Sequence, residues 1–139
     1  MSEQEEPAEE IIPAEMQEEL AMVRDLLDVS AQKPRLQHLA LLYAIMVLEK
    51  GLRIVLRSEY KSIAKIKFSV LIDKAQQRGF FSAETAAALR ILKDHRNAAI
   101  HQAQASGTEA SMEKTVVFVL ETTETVFVRF NQLKPEDEG

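Results

Sequence analysis

The sequence predicts an all-α protein, an up-and-down bundle of about five helices, and three observations predict it. Apolar residues recur every three or four positions from about residue 13 to residue 134, the period of helices that bury one face. The breaks in that pattern fall at residues that stop helices: Lys33-Pro34, Gly79 and Gly107-Thr108. Short connections between the periodic stretches suit helices packed as neighbours.

Pro13 suits the first turn of a helix, where its fixed φ is already helical and its missing N–H is not needed. Met16, Leu20, Val23 and Leu27 then share one face, and the helix stops before Lys33-Pro34. A longer second helix runs from about Pro34 to Arg57 or a few residues beyond, with Leu36, Leu39, Tyr43, Met46, Val47 and Ile54 expected inward. A third covers roughly Phe68 to Arg78 and ends at Gly79, a residue that tolerates the left-handed backbone of a helix cap. Ser82 is a good N-cap for a fourth helix reaching about Gln104. The last segment, Ala110 to Leu133, is rich in Val and Thr, which favour strands. Its length and its stripe of Met112, Val116, Val119, Thr123, Val126, Phe130 and Leu133 are helical instead.

The chain of 139 residues fits one domain, expected over residues 13–134. Residues 1–12 and 135–139 are expected to be disordered acidic tails, too poor in apolar surface to order themselves. With no cysteine, disulfides, thiolate metal sites and cysteine nucleophiles are excluded. No apolar run has the length of a bilayer span, and residues 2–19 are too acidic for a signal peptide; the expectation is a cytoplasmic protein with no membrane partner. The formal charge of −5 hides an asymmetry. Of 22 acids, eleven lie in residues 1–20 and 135–139, so residues 21–134 hold all 17 Lys and Arg against the other eleven, a net of +6. Such a body suits a polyanionic partner, although solvated helix faces give the same count. The acidic N-terminus either solubilises the chain or lies over this body as a nucleic-acid mimic.

The stretch Leu92-Lys93-Asp94-His95-Arg96-Asn97-Ala98-Ala99-Ile100-His101 carries the chemistry. A guanidinium can hold a phosphate with its fork of donors, and an imidazole can give or take a proton near neutral pH. On a helix Arg90, Asp94, Asn97 and His101 share a narrow sector, whereas Arg96 falls among Leu89, Leu92, Ala99 and Ile100. A charge in an apolar sector is costly unless paired. Arg96 either snorkels to water or to a neighbouring Glu, or points into a groove where RNA or a second subunit completes its partners. Asp94, one helical face with His101, is placed to hold the imidazole tautomer or to be a plain surface acid. His38 and His95 read as ordinary satisfied surface histidines. No metal-ligand spacing and no Gly-rich phosphate loop is present, and no cofactor is implied.

The spacing resembles the R-x-x-x-x-H signature of the HEPN superfamily, all-helical domains many of whose members are metal-independent endoribonucleases. From Phe68 to Gln102 the chain is similar to a prokaryotic branch with an apolar helix, a Gly turn, a capped helix and a closing Arg-Asn-x-x-x-His. Those parts stand here as Val70-Leu71-Ile72-Asp73-Lys74, Arg78-Gly79-Phe80-Phe81-Ser82 and Leu92 to His101. The resemblance implies an HEPN-like bundle and a homodimer whose two motifs face each other. It implies that Arg96 stabilises the scissile phosphate, that His101 acts as general base or acid for attack by the ribose 2′-hydroxyl, and that Asn97 orients one of them. Asp94 and Arg90, by their helical position and not by the resemblance, would support them. A toxin or defence role, with an antitoxin or regulatory partner, is implied by the superfamily alone.

If the second helix continues past Arg57, then Lys50, Arg53, Arg57, Lys61 and Lys65 follow one side at steps of three or four. That is either a ridge for RNA phosphates or a solvated face offset by Glu49 and Glu59. No aromatic residues interleave densely enough to suggest base stacking, and Tyr60 is the only candidate. Two other functions fit the same residues: a non-catalytic dimeric module binding nucleotide, RNA or protein, and a helical adaptor docking through its last helix.

Overall fold

The computed structural model describes residues 11–33, 35–106 and 109–133, with the side chains of 95–106 and 109–111 left outside the description. Among the described residues it contains five α-helices and no strand: α1 (Ala14–Val29), α2 (Arg35–Leu56), α3 (Phe68–Gln77), α4 (Ala83–Ser106) and α5 (Glu109–Leu133). Two short 3₁₀ turns, Arg57–Glu59 and Ile63–Lys65, lie between α2 and α3.

Pro13 stands just before α1, and its carbonyl accepts from the N–H groups of Met16 (2.9 Å) and Gln17 (3.0 Å). Met16, Leu20 and Val23 are buried as their spacing requires. Ile11 and Ile12, read from sequence as part of the acidic tail, pack against the core instead. Residues 1–10 and 135–139, the rest of the expected tails, lie outside the described residues, as does Lys134 at the expected end of the domain.

α2 is the central helix, and its core face differs from the expected one. Val47 is buried as expected and Leu36, Tyr43 and Ile54 are half-buried, but Leu39 and Met46 are 52% and 60% exposed. The core is reached instead by Ala40, Leu41, Ala44, Ile45, Leu48, Leu52, Val55 and Leu56. A helix packed on several sides needs a broad apolar arc, and the small residues in that arc let neighbours approach. Gly51 is the clearest case: a Cβ there would lie 3.1 Å from Phe127 Cε2 and 3.3 Å from Met16 Cε.

α1 and α2 form an antiparallel hairpin, with Lys50 beside Glu15 and Glu19 and the Tyr43 hydroxyl 3.8 Å from Met22 Sδ. α4 and α5 form a second. The C-terminal end of α5 meets the C-terminal end of α2 at Gly51–Phe127 and the α3–α4 turn at Gly79–Leu133 and Phe80–Phe130. α2 and α5 therefore run in the same direction, and strict up-and-down alternation does not hold. The physical reason is α3: its ten residues rise only about 15 Å, too little to return the chain along the whole bundle.

The α3–α4 turn sets the direction of α4. Gly79 has φ +83°; its N–H donates to Gln76 O (3.0 Å) and that of Phe80 to Ala75 O (2.9 Å), the paired bonds of a Schellman cap. Phe80 and Ala75 are both fully buried beneath it. Ser82 then caps α4, its Oγ accepting from the N–H of Thr85 at 3.1 Å, as expected of a serine at that position.

Candidate functional site

α4 is continuous from Ala83 to Ser106, so Arg96, Asn97 and His101 all stand on one helix. Their side chains, and that of His95, lie outside the described residues; only their register follows. Arg96 comes seven positions after Leu89, which is 2% exposed, and four after Leu92, which packs against the core from its edge. Asp94, Asn97 and His101 follow the opposite sector, at i, i+3 and i+7. Arg96 and His101 are thus about 140° apart around the helix.

The described part of α4 shows what surrounds that register. Ala88, Ile91 and Leu92 face Lys114, Thr115 and Phe118 of α5 across a hollow of about 400 Å³. Ile91 is 60% exposed at its rim. A second hollow of about 410 Å³ continues over Phe118 and Val117, flanked by Glu113, Lys114 and Glu121. Arg96 follows Leu92, which lines this α4–α5 groove, by four residues on the same helix. Lys114 is the cation of the groove wall that sequence reasoning did not single out; it sits on an otherwise polar turn of α5, with nothing in its spacing to mark it.

Arg90 reaches away from the groove. It pairs with Asp73 and lies 3.4 Å from Gln76 Oε1, bracing α4 against α3. Asp94 is exposed and its carboxylate is 2.7 Å from Lys93 Nζ. Arg90 thus serves as an interhelical tie, and Asp94 stands in an ion pair with its neighbour.

The basic ridge does not form as a helix face, because α2 ends at Leu56. Lys50 is held between Glu15 (3.2 Å) and Glu19 (2.8 Å). The hydrogen bond to Glu19, then that to Glu15, pushes its pKa above the usual lysine value. Arg53 pairs with Glu49 at 2.6 Å, and its Nη2 and Nε donate to the carbonyls of Ile66 (2.7 Å) and Ile63 (3.4 Å). These two cations are structural. Arg57, Lys61 and Lys65 remain exposed on the connection that follows.

His38 is not the satisfied surface histidine its sequence context suggests: it is buried on α2 because it falls in the broad arc that α2 packs inward, and its Nδ1, like Oε1 of the adjacent Gln37, has no hydrogen-bond partner among the described residues. Also among the described residues, no group of three or more His, Asp or Glu side chains could hold a metal ion, and no helix is long and apolar enough to cross a membrane. No protein-family model, curated protein or solved structure matches the chain.

Proposed function

We propose that this protein is an HEPN-like helical domain that cleaves RNA without a metal ion, through Arg96 and His101. The observation that supports the reading is that Arg-Asn-x-x-x-His falls on one unbroken helix, whose preceding turns line the α4–α5 groove with Ala88, Ile91 and Leu92 and are tied to α3 by Arg90. A rigid helix holds an arginine and a histidine at fixed angles, which positioned acid–base chemistry needs.

In the proposed reaction His101 takes the proton of the ribose 2′-hydroxyl. The 2′-oxygen attacks the adjacent phosphorus, the 5′-oxygen of the next nucleotide leaves with a proton, and the products are a 2′,3′-cyclic phosphate and a 5′-hydroxyl. Arg96 stabilises the charge growing on the non-bridging oxygens, and Asn97 orients the phosphate or the imidazole. The wide angle between Arg96 and His101 favours a composite site in a homodimer, each copy supplying what the other's register turns away.

The test is cleavage of a mixed RNA pool in EDTA. The wild type should cut and leave cyclic-phosphate ends, and His101→Ala should slow cutting by about 100- to 10,000-fold, the worth of general acid–base help. Arg96→Ala should also slow it severely, through loss of the charge that stabilises the phosphate oxygens. A wild type that binds RNA but never cuts, or a His101→Ala that cuts normally, overturns the reading.

A further inference from the structure

The segment joining α2 to α3 carries four exposed cations, Arg57, Lys61, Lys65 and Lys67. Among the described residues none of their side chains is ion-paired, and the described acids around the segment have other partners. Glu49 is taken by Arg53, Glu15 and Glu19 by Lys50, and Glu59 by Arg78 and Lys74. The underside of the segment is tied down: Ile63 and Ile66 pack against the core, and Arg53 holds both of their carbonyls. What faces outward is positive charge on an anchored backbone. Tyr60, half-buried and in extended conformation, stands among these cations. On the same side as Arg57 a hollow of about 450 Å³ is bordered by Met46, Ile54 and Ile63, with the paired Glu49, Lys50 and Arg53 on its wall.

Like charges gathered on an anchored segment repel until a counter-charge arrives. An acidic peptide supplies charge but no use for the aromatic ring or the apolar hollow. A single-stranded nucleic acid supplies both, phosphates for the cations and a base for the ring. We propose that the α2–α3 connection binds the backbone of single-stranded RNA, with phosphates at Arg57, Lys61, Lys65 and Lys67 and a base against Tyr60. The surface rests on the reading of this protein as one that acts on RNA, and adds a second contact remote from the motif. It lies at the end of the bundle where α4 begins, and Arg96 is fourteen residues beyond Ser82, about 21 Å along the helix axis. A strand touching both spans about six nucleotides at a stacked spacing of about 3.4 Å.

The experiment is anisotropy of a labelled single-stranded RNA longer than that span, across a salt series in EDTA, on the Arg96→Ala/His101→Ala background so that binding is read apart from cutting and from any phosphate at Arg96. Four phosphate contacts give a log–log salt slope of about −2.8, and Lys61→Ser with Lys65→Ser should shrink it by about 1.4. Tyr60→Leu should weaken binding about tenfold at unchanged slope. Absence of RNA binding, or a Lys61→Ser/Lys65→Ser protein with the original affinity and slope, overturns the proposal. Displacement of RNA by polyglutamate of equal charge also overturns it, in favour of an acidic-peptide surface. Patch-dependent binding by a wild type that never cuts sustains this surface and sinks only the catalytic reading. Cutting without patch-dependent binding does the reverse.

Discussion

Replacing Gly79 by Ala isolates one backbone angle. The residue sits at φ +83°, and a Cβ there would lie 3.5 Å from Leu133 Cδ1, an ordinary contact. The penalty is therefore conformational rather than steric. A left-handed backbone costs an L-residue about 1–2 kcal/mol, and the stiffer unfolded chain of the Ala variant returns about 0.4–1 kcal/mol. A net loss of about 1 kcal/mol is expected, or about 3–5 °C in Tm for a chain of this size. Urea denaturation followed by helical circular dichroism should show a lower midpoint with an unchanged slope. Gly79→Asn should lose less than Gly79→Ala, because Asn visits this region more readily. An unchanged midpoint for Ala, or a larger loss for Asn, would refute the assignment of strain to this angle. The turn also aims α4, so the same variant reports how tightly the motif helix depends on its first cap.

Other perturbations bear on particular packing and charge. Leu39→Gln and Met46→Gln, on the exposed edge of α2, should each change stability by less than about 0.5 kcal/mol, whereas Leu48→Ala, fully buried on the same helix, should cost about 2–5 kcal/mol; chemical denaturation separates the two faces. The raised pKa of Lys50 means that its contribution is fully present below the ordinary lysine pKa and is lost as pH climbs through the folded value. Thermal melts above pH 10 should then fall more steeply for the wild type than for Lys50→Met, and parallel curves would discount the Glu15–Lys50–Glu19 cluster. His38→Leu removes a buried nitrogen with no partner among the described residues and should be neutral or stabilising; a loss above about 1 kcal/mol would mean that the nitrogen is bonded in solution.

The helices were legible because their signals are local. Pro13, Gly79 and Ser82 mark ends through their own φ, donors and hydroxyl, and the stripe from Met112 to Val126 declares its period without reference to any neighbour. Part of the candidate site was legible in the same way: Arg96, Asn97 and His101 belong to one helix by spacing alone, and Ala83–Ser106 is continuous through them. Lys114 was not legible, since its relation to Ala88 and Leu92 exists only once α4 and α5 are laid together.

Sequence alone determined the helix count, the caps and the residues available for chemistry, since those rest on interactions within a turn or two of chain. Tertiary structure decided which face of α2 is the core, because Leu39 and Ala40 differ in burial through what packs beside them, not through their own hydrophobicity. It also decided which cations are spent. Lys50 and Arg53 look like Arg57 and Lys61 in the chain, but Glu15, Glu19 and two backbone carbonyls reach only the first pair. Charge becomes available or neutralised through distances across the fold, and a linear pattern does not contain them.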